Sequence, residues 1–172
     1  GEIPGDYQLL LSLKGIGEYT AGAIGSIAFG LPVAAVDGNV LRVITRITGD
    51  ERDILKQSTK KAITEDLLEI IPKERADDFN QALMKLGAMV CVPNGKPKCE
   101  ECPWDTICRA YKEDLTERIP VKMPKKKRKI EHKTIFLLEY QDKIAIHKRQ
   151  SKGLLAELWE FPNAEGILPV EE

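Results

Sequence analysis

No run of apolar residues in this 172-residue chain approaches the roughly 20 that a membrane-spanning helix needs. The first residues, Gly1 to Leu11, also lack the basic start of a secretory signal. The expected location is therefore intracellular, the cytoplasm of a bacterium, with no membrane partner. Excess charge of either sign is missing as well: 26 Lys and Arg stand against 27 Asp and Glu, a formal net charge of −1. That balance argues against a protein that coats nucleic acid over its whole surface, yet it leaves room for one basic face. Cysteine is absent outside a short window, and all four lie between Cys91 and Cys108. Such clustering favours a metal site over disulfides. No internal repeat is visible. At 42% hydrophobic content the length suits one moderate core, or one core with a small appendage. The start at Gly1 and the stop in Pro169-Val170-Glu171-Glu172 read as cut ends, so a monomeric piece of a longer protein is expected.

What is present divides into three parts. From Asp6 to about Tyr111, apolar residues recur at helical intervals, as in Ile63, Leu67, Leu68 and Ile71, then Phe79, Leu83, Leu86 and Val90. Residues 1–120 are expected to be mainly α. Residues 121–133 (VKMPKKKRKIEHK) carry a proline, five consecutive basic residues and almost no periodicity, which suits an exposed linker. The PKKKRK string is also compatible with phosphate contacts, or with a nuclear import signal. From Thr134 the texture changes to β-prone runs, Thr134–Tyr140 and Ile144–His147, separated by Gln141-Asp142-Lys143. They predict a hairpin opening an α+β unit over 134–172. His132 and His147 read as surface residues.

Leu13-Lys14-Gly15-Ile16-Gly17-Glu18-Tyr19-Thr20-Ala21 lies between two apolar helical stretches, Tyr7–Leu13 and Tyr19–Phe29. Two glycines flanking one apolar residue permit a tight reversal with Ile16 pinned inward. The unpaired amides at the start of the second helix suit a phosphate oxygen. Such a contact fixes register on DNA without reading bases. The pattern LxGIGxYTA resembles the helix-hairpin-helix of the endonuclease III superfamily of DNA glycosylases. That resemblance implies double-stranded DNA as partner, backbone contacts from Gly15, Ile16, Gly17, Tyr19 and Thr20, and a monovalent cation on the hairpin carbonyls.

In that superfamily a Gly/Pro-rich segment leads to an essential aspartate at the head of the next helix. Gly30-Leu31-Pro32-Val33-Ala34-Ala35-Val36-Asp37-Gly38-Asn39-Val40 matches it. Breaking an N-glycosidic bond develops positive charge on the sugar, which a nearby carboxylate stabilises. Asp37 is the candidate, although an Asp before a helix is also a routine N-cap and the two roles are compatible. Asn39 could orient that carboxylate or face water. Members that also cut the strand place a lysine nucleophile where this chain has Tyr19, and a phenol cannot form the Schiff base. GEYTAGAIGSIAFG followed by AVDGNVLRV therefore resembles the monofunctional adenine-specific branch, the MutY type. Asn80, in FNQAL, either ties adjacent helices through its amide or faces water.

The four cysteines are spaced Cys91-x7-Cys99-x2-Cys102-x5-Cys108. The last three match the superfamily's cluster loop, while the first gap is one residue longer. The resemblance implies a 4Fe–4S cluster, with zinc as the alternative. Lys96 and Lys98 would then be presented to DNA phosphates. After the linker, Lys148-Arg149 and Gly153–Pro162 (GLLAELWEFP) resemble the start of the branch's Nudix-like domain, which recognises 8-oxoguanine opposite the adenine. The pyrophosphohydrolase box of Nudix enzymes is missing. The implied reaction is hydrolysis of adenine mispaired with 8-oxoguanine or guanine. The implied general acid, a glutamate, would precede Gly1, and the 8-oxoguanine contacts would follow Glu172. The chain alone is expected to be inactive, and the rival readings are a glycosylase/lyase or a noncatalytic DNA-binding cluster module.

Overall fold

A computed structural model describes residues 1–124, 128 and 130–169. Two compact units divide at Pro124 and Lys125. Among the described residues of the first, the chain forms α1 (Tyr7–Ser12), α2 (Glu18–Phe29), α3 (Gly38–Thr48), α4 (Gln57–Ile70), α5 (Ala76–Met89) and α6 (Arg109–Lys112). Three of these ends have a clear local cause. Asp6 caps α1 through its side chain, which accepts from the Leu9 amide. Gly30 and Gly49 end α2 and α3 in the left-handed region, at φ 64° and 68°.

The core forms where α3, α4 and α5 meet. Val40, Leu41 and Val43 of α3 pack with Ile54, Ile63, Leu67 and Leu83. Burying side chains of this kind contributes roughly 1.5–3 kcal/mol each. Leu68, expected with Ile63 and Leu67, instead faces outward. Ile63, Leu67 and Ile71 recur every four residues and complete the buried stripe without it. Gly22 of α2 faces the chain just before α3: a Cβ there would run into the Ala34 carbonyl oxygen. The stretch that joins α2 to α3 can therefore lie directly on α2. The first residues of the expected linker also belong to this unit, since the Val121 carbonyl accepts from the Ile54 amide at 3.1 Å. Of the basic run 125–129, only Arg128 falls among the described residues.

The second unit consists of short antiparallel pairs: β1 (Lys133–Ile135) with β6 (Asn163–Glu165), β2 (Glu139–Tyr140) with β3 (Lys143–Ile144), and β4 (His147–Lys148) with β5 (Trp159–Glu160). The predicted hairpin is β2–β3. Its turn residues Gln141 and Asp142 both have positive φ, 48° and 59°, the backbone of the turn that matches strand twist. The run 134–140 is not one strand, however. β1 leaves to pair with β6, and Phe136 N donates to the Pro162 carbonyl. No described side chain of this unit is buried.

Candidate active site

The hairpin joins α1 to α2 through Gly15, which sits at φ 89°, where a side chain would be strained. Ile16 is half-buried, and its amide donates to the Leu13 carbonyl. Gly17 is the N-cap of α2 and supplies no side-chain cap. The first amides of a 12-residue helix thus face outward with the positive end of its dipole, next to the exposed Tyr19 and the half-buried Thr20. Tyr19 directs its hydroxyl to the Met84 sulfur of α5, 3.7 Å away.

Asp37 is the N-cap of α3. One carboxylate oxygen accepts from the amides of Asn39 and Val40, both at 2.8 Å. The other accepts from the Asn39 side-chain amide, also at 2.8 Å. Capping and orientation are thus one arrangement, and Asn39 does not simply face water. The Asn39 oxygen accepts in turn from Arg42 at 2.9 Å. Arg42 is only 5% exposed and also donates to the carbonyls of Gly87 and Cys91, each at 2.7 Å. Burial pulls its guanidinium below the ordinary value; the Cys91 sulfur opposes this, the Arg46 charge adds to it and the Asp37 carboxylate opposes it. A continuous chain of hydrogen bonds therefore runs from the Asp37 carboxylate to the backbone of the first cysteine.

The four cysteines line one small cavity, together with Arg46, Pro97 and others. Arg46, one helical turn beyond Arg42, donates to the Cys91 sulfur at 3.2 Å and to the carbonyls of Thr116 and Ile119 at 2.7 Å. Its own carbonyl accepts from the Cys108 thiol. Burial pushes the Cys99 and Cys102 thiols up, and the neighbouring cysteine sulfurs add to the rise. A zinc ion would draw thiolates to about 2.3 Å of one point, and among the described residues no three His, Cys, Asp or Glu are grouped to hold a single ion. Four thiols around one cavity, which Asp105 also lines, suit a four-iron cluster, one thiolate per iron. Gly95 takes the left-handed φ of 76°, which lets the longer first gap turn back before Cys99. Lys96 and Lys98 are exposed on this loop, and Lys98 has Glu101 at 4.0 Å.

No family model matches the chain. Relatives do. An adenine DNA glycosylase of Arabidopsis thaliana is 37% identical over 174 residues, covering 93% of this chain and 28% of the relative. A thymine/uracil-DNA glycosylase of Methanothermobacter thermautotrophicus is 37% identical over 116 residues, 67% of this chain and 52% of the relative. A solved non-covalent complex of endonuclease III with DNA superposes with a TM-score of 0.56 at 33% identity, over 67% of this chain and 51% of that one. The chain belongs to the adenine DNA glycosylase/endonuclease III superfamily. It spans between about a quarter and about half the length of these relatives.

Within that superfamily frame, the sequence reading missed Arg42 and Arg46. Arginines at i and i+4 on an amphipathic helix look like a solvated face, and no local signal marks them as buried. Only the carbonyls they meet on α5, the cysteine loop and residues 116–119 reveal their place. Among the described residues, no helix is long and apolar enough to cross a membrane.

Proposed function

We propose that this chain is the hairpin, carboxylate and cysteine-loop portion of a monofunctional DNA glycosylase that releases adenine paired with 8-oxoguanine or guanine during base excision repair. One observation carries the reading above the others. A carboxylate held by three hydrogen bonds heads α3, while the hairpin position that would hold an amine nucleophile holds Tyr19.

The adenine must leave the stack to be reached. The uncapped amides of α2, with Gly15, Ile16, Gly17 and Thr20, hold the backbone, and the hairpin carbonyls would hold a monovalent cation that adds positive charge beside the phosphates. As the glycosidic bond lengthens, positive charge grows on the sugar, and Asp37 stabilises that charge more than it stabilises the bound substrate. Asn39 fixes the direction of the carboxylate. Water, not a protein amine, completes the reaction, because Tyr19 cannot form an imine. The departing base must also be protonated by a general acid as the bond breaks. Cys91, Cys99, Cys102 and Cys108 would hold the 4Fe–4S cluster, which supplies a rigid frame for the loop that offers Lys96 and Lys98 to phosphates. The strand unit is the start of a Nudix-like domain that recognises 8-oxoguanine, in a monomeric cytoplasmic enzyme.

Adenine as the base is supported by the extent of likeness: the adenine-specific relative matches 93% of this chain, strand unit included, against 67% for the thymine/uracil-specific one. The second reading, release of thymine or uracil, rests on that shorter match. Both are tested by giving the whole parental protein duplexes with A opposite 8-oxoguanine and T opposite G. Adenine release is expected, and Asp37→Asn should slow it by about 100-fold or more while the duplex is still bound. Full-rate excision by that variant would remove Asp37 from the chemistry, and thymine release alone would move the enzyme to the other branch.

A further inference from the structure

We propose that Asn80 is a positioning residue for Asp37: from the buried face of α5 it grips the Val33–Ala35 backbone that delivers the carboxylate to the head of α3. The inference rests on the function proposed above. Asn80 is 1% exposed. Its side-chain oxygen accepts from the Ala35 amide at 2.9 Å. Its amide nitrogen donates to the Val33 carbonyl at 2.9 Å and to the Ala76 carbonyl of its own helix at 3.0 Å. Both N–H groups are used, and the side chain pairs with alternate peptide groups much as a neighbouring strand would.

The segment it grips needs such a partner. Residues 31–36 are neither helix nor strand, yet Ala34 and Ala35 are buried. Irregular buried backbone must find hydrogen bonds outside regular structure. Asn80 supplies them on one side. On the other, Gly22 of α2 leaves no room for the Ala34 carbonyl to retreat. Asp37 follows Ala35 by two residues, so a shift of this backbone moves the carboxylate against the sugar it must face.

The same stripe of α5 also reaches the rest of the site. Asn80, Met84 and Gly87 recur at helical spacing. Met84 receives the Tyr19 hydroxyl, and Gly87 lies so close to Asn39 that a Cβ would approach the Asn39 Cβ to 2.6 Å. α5 is thus a common frame for the hairpin tyrosine, the aspartate loop and the asparagine that orients the aspartate. A leucine would fill the space of Asn80 but supply no hydrogen bond, and an aspartate would keep the acceptor but lose both donors.

The test uses the whole parental glycosylase under single-turnover conditions with A opposite 8-oxoguanine. Burst amplitude reports the folded, competent fraction, and the rate constant reports geometry within that fraction. Asn80→Asp is expected to lower the rate constant by about 10- to 100-fold, the cost of a displaced catalytic group. Amplitude, and affinity for a duplex carrying a reduced abasic site, should stay within about threefold. Asn80→Ser, which is too short to reach the Val33 and Ala35 peptide groups and adds neither bulk nor charge, should do likewise and serves if Asn80→Asp does not fold. A variant that loses amplitude or melting temperature but keeps the wild-type rate constant would overturn the proposal. So would rapid hydrogen exchange at the Ala35 amide of the wild-type protein, which the Asn80 bond predicts to be strongly protected. If the wild type released no base from any duplex, the functional reading would have failed, while slow exchange at Ala35 would still uphold the clamp.

Discussion

Tyr19 stands in the first turn of α2, 43% exposed, with its hydroxyl on the Met84 sulfur. An amine at this position would be able to attack the sugar of a base held near Asp37, whereas a phenol is not. Tyr19→Lys is accordingly expected to convert part of the turnover into a covalent route. Borohydride added during reaction should then trap a protein–DNA adduct that the wild type does not form. Absence of any adduct, with excision intact, would mean that residue 19 does not face the sugar. The place of Asp37 at the head of α3 was legible in the sequence, because an aspartate just before a helical run is a natural N-cap. How Asp37 is held was only partly legible. Its bond to Asn39 spans two residues and could be anticipated, but the bond from Arg42 onward depends on the Gly87 and Cys91 carbonyls, which the fold brings from 45 or more residues away.

Among the elements, α3 serves two purposes with one sequence pattern. Val40, Leu41 and Val43 build the core, and Arg42 and Arg46 carry hydrogen bonds from that core to the cysteine loop. Helical periodicity found α4 and α5 because apolar stripes of this length have few alternative explanations. It could not show which pairs of helices approach closely, since close approach is set by the absence of a side chain. Gly87 is such a position: added atoms there meet the Asn39 side chain and, at 3.1 Å, the Asn39 backbone. The Asn39 backbone is fixed by the cap of α3, so it cannot yield cheaply. Gly87→Ala should therefore destabilise the protein by about 1–3 kcal/mol through overpacking, visible as a lower denaturant midpoint at unchanged slope. It should also slow excision, because Asn39 would turn away from Asp37. An unchanged midpoint would show that α5 can shift away from α3, and that the two helices are less tightly coupled than their contact implies.

On the scale of the whole molecule, charge is nearly balanced, so the DNA binding proposed above would come from a few placed groups and not from a general positive field. The two units differ in how much of this was legible. In the strand unit the β2–β3 turn announces itself locally, while the β1–β6 and β4–β5 pairs join residues some 11 to 32 positions apart through strands of two or three residues, too short to leave a pattern. In the helical unit the cysteine spacing pointed to a tethered loop, and the loop leaves Lys96 and Lys98 exposed beside the cavity that the cysteines line. Each ammonium that neutralises a phosphate releases counterions and steepens the dependence of binding on salt by about 0.9 in the logarithmic slope. Replacing both lysines by alanine should thus make the slope shallower by about 1.8 and weaken binding to matched and mismatched duplexes alike. The Glu101 carboxylate at 4.0 Å from Lys98 reduces the effect only if that exposed pair persists in the complex, which Glu101→Gln would reveal as tighter binding at low salt. A slope unchanged by the double substitution would place the loop away from DNA and leave the hairpin to hold the duplex alone.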